Sequence, residues 1–585
     1  MHLVSKRFWP TLRLTLPILT VFCACRSGGT LAVPSERPEG PAAASTAATS
    51  IRLEHVVDRD AWRLTYVLAR PVQTLRFVRP HAPYRASRWQ ITTPGLRFAH
   101  TGDEDVVVAE DARAFAELGI DIPTYAIKPE KDYQVFIPYS DASTLVYTGH
   151  FDVRDDGADA QANVFTFVPR KDERLVLRGE VSSGTHSWQS EGEGTYVYFG
   201  STQPTAGDGF IGVVDAGMPA WLRTPMQTLL PTLFGLYASR IGLPLTFHPT
   251  VFMSYGDQPN GFSFGGGTLP GLVQLEVRLG PEHRNELDDS VRQRADYLVA
   301  HEAAHLWNEQ LSHHDTPIAE WLNEGGPDAL AYAALQSLGR LSHSRLREIE
   351  GEAFANCLVG TRLGPVHEAS VPGRFKLHYW CGHLIVHLTQ VLASRATPSV
   401  DLFQFWGELL RDAHATESSE ERYLNRLRAL PDGAAAERAV RALLTASTLD
   451  PVSTWLALDT SLMPAPTSRA LPASYQQLSG LVAATLLLRN ACGRDVTPLA
   501  EAGGLRVQGG CGALGDDFIL LNLEGHELHA AGASAYDAAL AACASHGTLK
   551  AGIRQGPTPT SPIVQHVLAC PNPFPARPAY VEIAE

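Results

Sequence analysis

His301-Glu302-Ala303-Ala304-His305 sets two imidazoles four positions apart with a carboxylate beside the first, and Trp321-Leu322-Asn323-Glu324 follows downstream. If residues 291 to 306 (VRQRADYLVAHEAAHL) form a helix, His301 and His305 face the same way with Glu302 next to them. Two imidazoles and a carboxylate, with a fourth position open to water, are a ligand set for catalytic zinc. Glu324 is therefore the expected third ligand, one zinc ion per chain the expected cofactor, and Glu302 the expected general base. Apolar Leu298, Val299, Ala303, Ala304 and Leu306 surround the motif, as a buried metal helix requires. His313, His314 and Asp315 are adjacent and precede Pro317, which reads as a solvated loop rather than further ligands, and Glu320 lies ahead of the Trp321-to-Gly325 segment.

These residues resemble the gluzincin peptidases, above all the M1 aminopeptidase family. Trp321-Leu322-Asn323-Glu324-Gly325 is worded as in M1, whereas His305-Leu306-Trp307-Asn308 is similar to a continuation found in M61 glycyl aminopeptidases. The resemblance implies a thermolysin-like α+β catalytic domain that hydrolyses peptide bonds. His301, His305 and Glu324 would hold zinc, and Glu302 would move a proton from the attacking water to the leaving nitrogen. Family members also carry a Tyr-x-Lys-Gly segment whose phenol stabilises the oxyanion. Tyr379, in His378-Tyr379-Trp380-Cys381-Gly382, stands at that tyrosine, with Cys381 in place of the lysine.

Asp328 follows Glu324 by four positions, so a helix through both would put them on one face. By analogy with thermolysin-like peptidases, Asp328 would then hold the other ring nitrogen of His301. Gly325-Gly326-Pro327 intervenes, and a helix beginning at Pro327 would leave Asp328 in a first turn instead.

M1 enzymes capture the substrate's amino terminus with the glutamate of a Gly-x-Met-Glu-Asn strand. The segment at that spacing is Gly266-Gly267-Thr268-Leu269-Pro270, which has no such acid. Gly266, Gly267 and Thr268 remain candidate substrate-binding residues, through backbone hydrogen bonds to an extended peptide. Without an acid for the ammonium group, endopeptidase action stands beside aminopeptidase action. A catalytically silent peptide-binding protein is a third reading. Glu276, in LVQLEVRL, is either a compensating acid or a polar residue on the exposed face of an edge strand.

The elements that must position this constellation are spread over 585 residues, enough for roughly three to four domains at about 150 residues each. Lys6, Arg7 and Arg13 precede the apolar run LTLPILTVFCAC, so residues 1–25 read as a secretory signal. Phe22-Cys23-Ala24-Cys25 resembles a bacterial lipoprotein box that would acylate Cys25 and anchor the chain to a membrane without crossing it. The expected location is the bacterial cell envelope, as a periplasm-facing outer-membrane lipoprotein, with plain secretion as the alternative. Residues 26–50, rich in Ser, Ala, Pro and Gly, read as a flexible tether.

From 51 to 198, short β-branched runs between Gly, Asp and Pro breakers predict an all-β domain. From 199 to 450 helical periodicity appears at 291–307, 327–339, 378–394 and 434–446, behind strand-like FIGVVDAG, PLTFHPTVFMSYG and GLVQLEVRLG, which predicts the α+β catalytic domain. Residues 451–475 read as a linker, and 476–585 as a small α+β domain with a faint PDZ-like order, or a disulfide-supported cap. Its four cysteines fit an oxidising compartment, while Cys357 and Cys381 are either buried thiols or a further bridge. A net charge of -14, without a run of Lys and Arg, argues against nucleic acid and for a peptide or protein substrate.

Overall fold

A computed structural model describes residues 48–583 apart from 57–60, 81–82, 103, 127–132, 156–162, 191–193, 208, 286, 313–316, 372, 413–416, 446–463, 466–469, 495, 497, 502–503, 557–560, 579 and 581. The expected signal with Cys25, most of the tether and linker, and His313, His314 and Asp315 lie outside the described residues. The chain divides into two compact units, 1–239 with 243–307, and 240–242 with 308–585. It has an N-terminal β-sheet-rich region, a central helical region and a C-terminal mixed α+β region.

In the first unit, strand Thr49–His55 alternates buried and exposed residues, the period of a sheet with one face on a core. It pairs antiparallel with Ala61–Val72 and parallel with Asn163–Val168. Trp62, Tyr66, Phe77, Phe165 and Phe199 fill the core behind it. A separate five-stranded sheet follows, in the order Thr205–Gly207, Phe210–Val214, Thr250–Asp257, Leu272–Leu279, Phe262–Leu269. Three of these are the expected strands. The parallel step from Phe210–Val214 to Thr250–Asp257 is made through helix Ala220–Ile241.

That helix was hidden in sequence by Pro225 and Pro231, both inside it. Its buried positions Leu222, Met226, Leu229, Leu230, Leu233 and Tyr237 nevertheless recur at helical spacing, so packing on the sheet overrides the local penalty. Glu276 corrects one expectation. It lies on Leu272–Leu279, an interior strand between Thr250–Asp257 and Phe262–Leu269, and is ion-paired to Arg278 at 2.6 Å.

In the second unit, helices Glu320–Ser337 and Leu377–Ser394 pack at a glycine-to-glycine contact. A methyl added at Gly325 would stand 2.3 Å from the Gly382 carbonyl carbon, and one at Gly382 would stand 2.1 Å from the Trp321 oxygen. Disulfide Cys357–Cys381 joins helix His343–Gly360 to Leu377–Ser394, which settles those two cysteines as a bridge. Cys492–Cys511 and Cys543–Cys570 tie the C-terminal region. There, an antiparallel sheet built around Asp517–Leu523 and Thr548–Gln555 packs with helices Ala473–Cys492 and Gly532–His546. Ala355 and Val359 of helix His343–Gly360 belong to this same core. No helix among the described residues is long and apolar enough to cross a membrane.

Candidate metal centre

The motif residues lie on helix Asp289–Asn308. Asp288 caps it, its carboxylate accepting from the Ser290 and Val291 backbone at 2.9 and 3.1 Å and from the Ser290 hydroxyl at 2.6 Å. The Ser290 hydroxyl and the other donors hold the Asp288 carboxyl down at about 2. Ala295, Leu298 and Val299 face Leu222, Met226, Leu275 and Val277, which seats the helix on the five-stranded sheet. Further along, the buried Tyr237 hydroxyl donates to the Ala300 carbonyl at 2.9 Å. Trp307 donates its indole N–H to the Leu243 carbonyl at 2.8 Å, with its ring against Phe234 and Tyr237.

So anchored, the helix brings the His301 and His305 Nε2 atoms to 3.0 Å of each other, rings at 80°. His301, His305 and Glu324 are buried, and one ligand atom from each lies within 4.8 Å of the others. Ligands 2.0–2.1 Å from a tetrahedral ion stand roughly 3.3 Å apart, so a pair of imidazole nitrogens at this separation fits a divalent ion such as zinc. The donor set of two nitrogens and a carboxylate fits as well.

Glu302 is met from the sheet. The Thr268 hydroxyl lies 3.0 Å from the Glu302 carboxylate Oε2 and 3.1 Å from the Glu302 carbonyl oxygen. Gly266 and Gly267 precede it on strand Phe262–Leu269, which forms an end of the sheet among the described residues. Gly266 is exposed, and a methyl added at Gly267 would meet nothing within 4 Å. Leu269, next on the strand, is buried in an apolar cluster with Tyr139, Phe252 and Leu272.

Glu324 lies in helix Glu320–Ser337, which starts seven residues before Pro327 and runs through it, correcting the expectation of a start at Pro327. Proline cannot donate to the Asn323 carbonyl four positions back. The side-chain amide of fully buried Asn308 replaces the missing donor, reaching the Asn323 carbonyl at 3.4 Å and the Leu322 carbonyl at 3.3 Å. Asn323 in turn donates to Glu324 Oε1 at 3.2 Å. Because the helix is continuous, Asp328 sits one turn after Glu324 on the same side.

Tyr379 is half-buried in the first turn of Leu377–Ser394, beside Phe375. Its neighbour His378 accepts or donates a 3.0 Å bond with the Ser370 hydroxyl. Burial pushes the His378 pKa down to about 4 against the pull of the Glu324 charge. Asn308, Asn323 and His378 were not foreseen as parts of this environment. The one available signal was Pro327, since a proline inside a helix leaves a carbonyl that something must satisfy.

Neither protein-family models nor curated protein sequences match this chain. Solved structures do. An aminopeptidase N family protein from Idiomarina loihiensis superposes with a TM-score of 0.58 at 11% identity, covering 92% of this chain and 97% of that one. An M1 zinc metallopeptidase from Deinococcus radiodurans gives a TM-score of 0.36 at 14% identity, covering 73% of this chain and 96% of that one. The overall fold is thus similar to that of the aminopeptidase N family protein.

Proposed function

We propose that this chain is an exported zinc-dependent peptidase. The observation that carries the proposal is the buried His301, His305 and Glu324 cluster with Glu302 on the same helix turn. When bound, zinc supplies Lewis acidity that polarises the scissile carbonyl and makes water nucleophilic at neutral pH. Glu302 takes the proton of the attacking water and delivers it to the departing nitrogen. Tyr379 donates a hydrogen bond to the oxyanion, Asp328 orients His301, and the strand carrying Gly266, Gly267 and Thr268 receives the extended substrate.

Aminopeptidase-like action is the leading reading on fold. Leu269 favours a second one, a narrow-specificity endopeptidase, because an apolar side chain packed in a core offers nothing to an ammonium terminus. Export, by secretion or by an anchor at Cys25, is supported by three disulfides, which persist in oxidising compartments. The C-terminal region acts as a disulfide-tied cap, since it shares its core with helix His343–Gly360.

The test is metal content together with cleavage of a mixed peptide library by wild type and Glu302→Gln, every cut site being read by mass spectrometry. Stoichiometric zinc in both proteins and turnover in wild type alone is the expected result. Release of single amino-terminal residues marks an aminopeptidase and internal cuts an endopeptidase. Zinc without turnover would leave a peptide-binding protein, and the absence of both would overturn the proposal.

A further inference from the structure

Thr268 is set in place by its own hairpin. Strands Phe262–Leu269 and Leu272–Leu279 are joined through Pro270 and Gly271, proline fixing one turn residue and Gly271 taking the φ of +73° that the next one needs. Leu269 therefore pairs with Leu272, and Thr268 with Val273. Successive strand residues point to opposite faces. Leu269 accordingly enters the apolar cluster on one side, and Thr268 turns to the other, where Phe264, Leu275 and Val277 meet helix Asp289–Asn308.

There the Thr268 hydroxyl reaches both the carboxylate and the carbonyl oxygen of Glu302. It has one proton to give, and both acceptors belong to the same residue. A β-branched side chain on a strand has few rotamers, so the hydroxyl is presented from a fixed point.

We propose that the Thr268 side chain is a positioning group for Glu302, holding its carboxylate against the sheet in the orientation used for proton transfer, rather than a side-chain contact to substrate. The inference rests on the peptidase reading for its kinetic consequence, while its structural content stands without it. A hydrogen bond to a charged group contributes enough that its loss should lower kcat about tenfold or more.

The test uses Thr268→Val, which keeps the shape and removes the hydroxyl, and Thr268→Ser, which restores it. In Thr268→Val, kcat should fall while KM and zinc content stay near wild type, and Thr268→Ser should recover most of kcat. Crystal structures of wild type and Thr268→Val supply a readout independent of turnover: the Glu302 carboxylate should leave its place in the variant. An unchanged kcat, a rise in KM alone, or a Glu302 side chain that stays put in Thr268→Val would overturn the proposal. A wild type with neither zinc nor turnover would refute the peptidase reading, and the two crystal structures would still decide the role of Thr268.

Discussion

Replacing Gly325 by alanine tests whether Glu324 owes its place to the contact between helices Glu320–Ser337 and Leu377–Ser394. The added methyl would stand 2.3 Å from the Gly382 carbonyl carbon, 2.4 Å from its Cα and 2.6 Å from the His383 nitrogen. All three are backbone atoms, so no side chain can rotate away. Ordinary contact begins near 3.4 Å, and the helices must part by about 1 Å. Overpacking of this kind costs about 1–3 kcal/mol, which corresponds to a thermal midpoint lower by roughly 2–10 °C.

The loss of activity should be larger than the loss of stability suggests. Glu324 adjoins Gly325, and Tyr379 lies three residues before Gly382, so the parting moves both groups. A misplacement of about 1 Å can cost about 100-fold in rate. The assay is kcat/KM on a peptide that wild type cleaves, with zinc content and thermal midpoint measured on the same samples. Gly235→Ala is the control, because Gly235 is an exposed position of helix Ala220–Ile241 and its methyl would meet nothing within 4 Å. That exchange should stabilise by about 0.5–1 kcal/mol. Gly382→Ala probes the same contact from the other side, so the double variant should lose less than its two single variants combined. A Gly325→Ala protein that melts and turns over like wild type would refute the argument.

Removing zinc with a chelator should abolish turnover and lower the thermal midpoint, and added zinc should restore both; a hundredfold excess over Kd contributes about 2.7 kcal/mol. Asn308→Ala leaves the Asn323 carbonyl, which Pro327 cannot serve, short of a donor, and should cost about 1–3 kcal/mol in urea unfolding and weaken zinc in a chelator competition. Joint replacement of Cys357 and Cys381 by alanine opens a link of sequence separation 24. Chain entropy puts that loss at about 3.5 kcal/mol, to be read as a shift of the urea midpoint. Asp288 has its pKa lowered from 3.8 to about 2 in the fold, so its contribution is complete above about pH 4 and fades as pH falls toward 2. The stability gap between wild type and Asp288→Ala should be widest at pH 6 and shrink over that window.

His301, Glu302 and His305 were legible because a helical period of about 3.6 residues is local information, and five adjacent residues suffice to set two imidazoles on one face. Strands Phe210–Val214, Thr250–Asp257 and Leu272–Leu279 were legible for a similar reason, as short apolar runs between breakers. The failures lie where a distant residue decides a local question. Pro225 and Pro231 look like helix breakers until the sheet beneath Leu222, Met226 and Leu233 is known. Pro327 looks like a helix start until Asn308 supplies the donor it lacks. Glu276 looks like an edge residue until Phe262–Leu269 pairs outside it. The pairing of Cys357 with Cys381 follows from two helices meeting, which no spacing encodes.

The division has a chemical consequence for the candidate site. The atoms that would touch an ion are announced by a pentapeptide and one later glutamate, and could persist in a chain that no longer catalyses. The groups that would make those atoms work are contributed from elsewhere, by Thr268 on a strand, Asn308 at a helix end and Gly382 in another helix. A hydroxyl on Glu302 and an amide on a freed carbonyl add nothing to a bare ligand set except precise placement, and precise placement is what the proposed proton transfer would demand. The peptidase reading proposed above therefore depends on these distant placements as much as on the ligand motif.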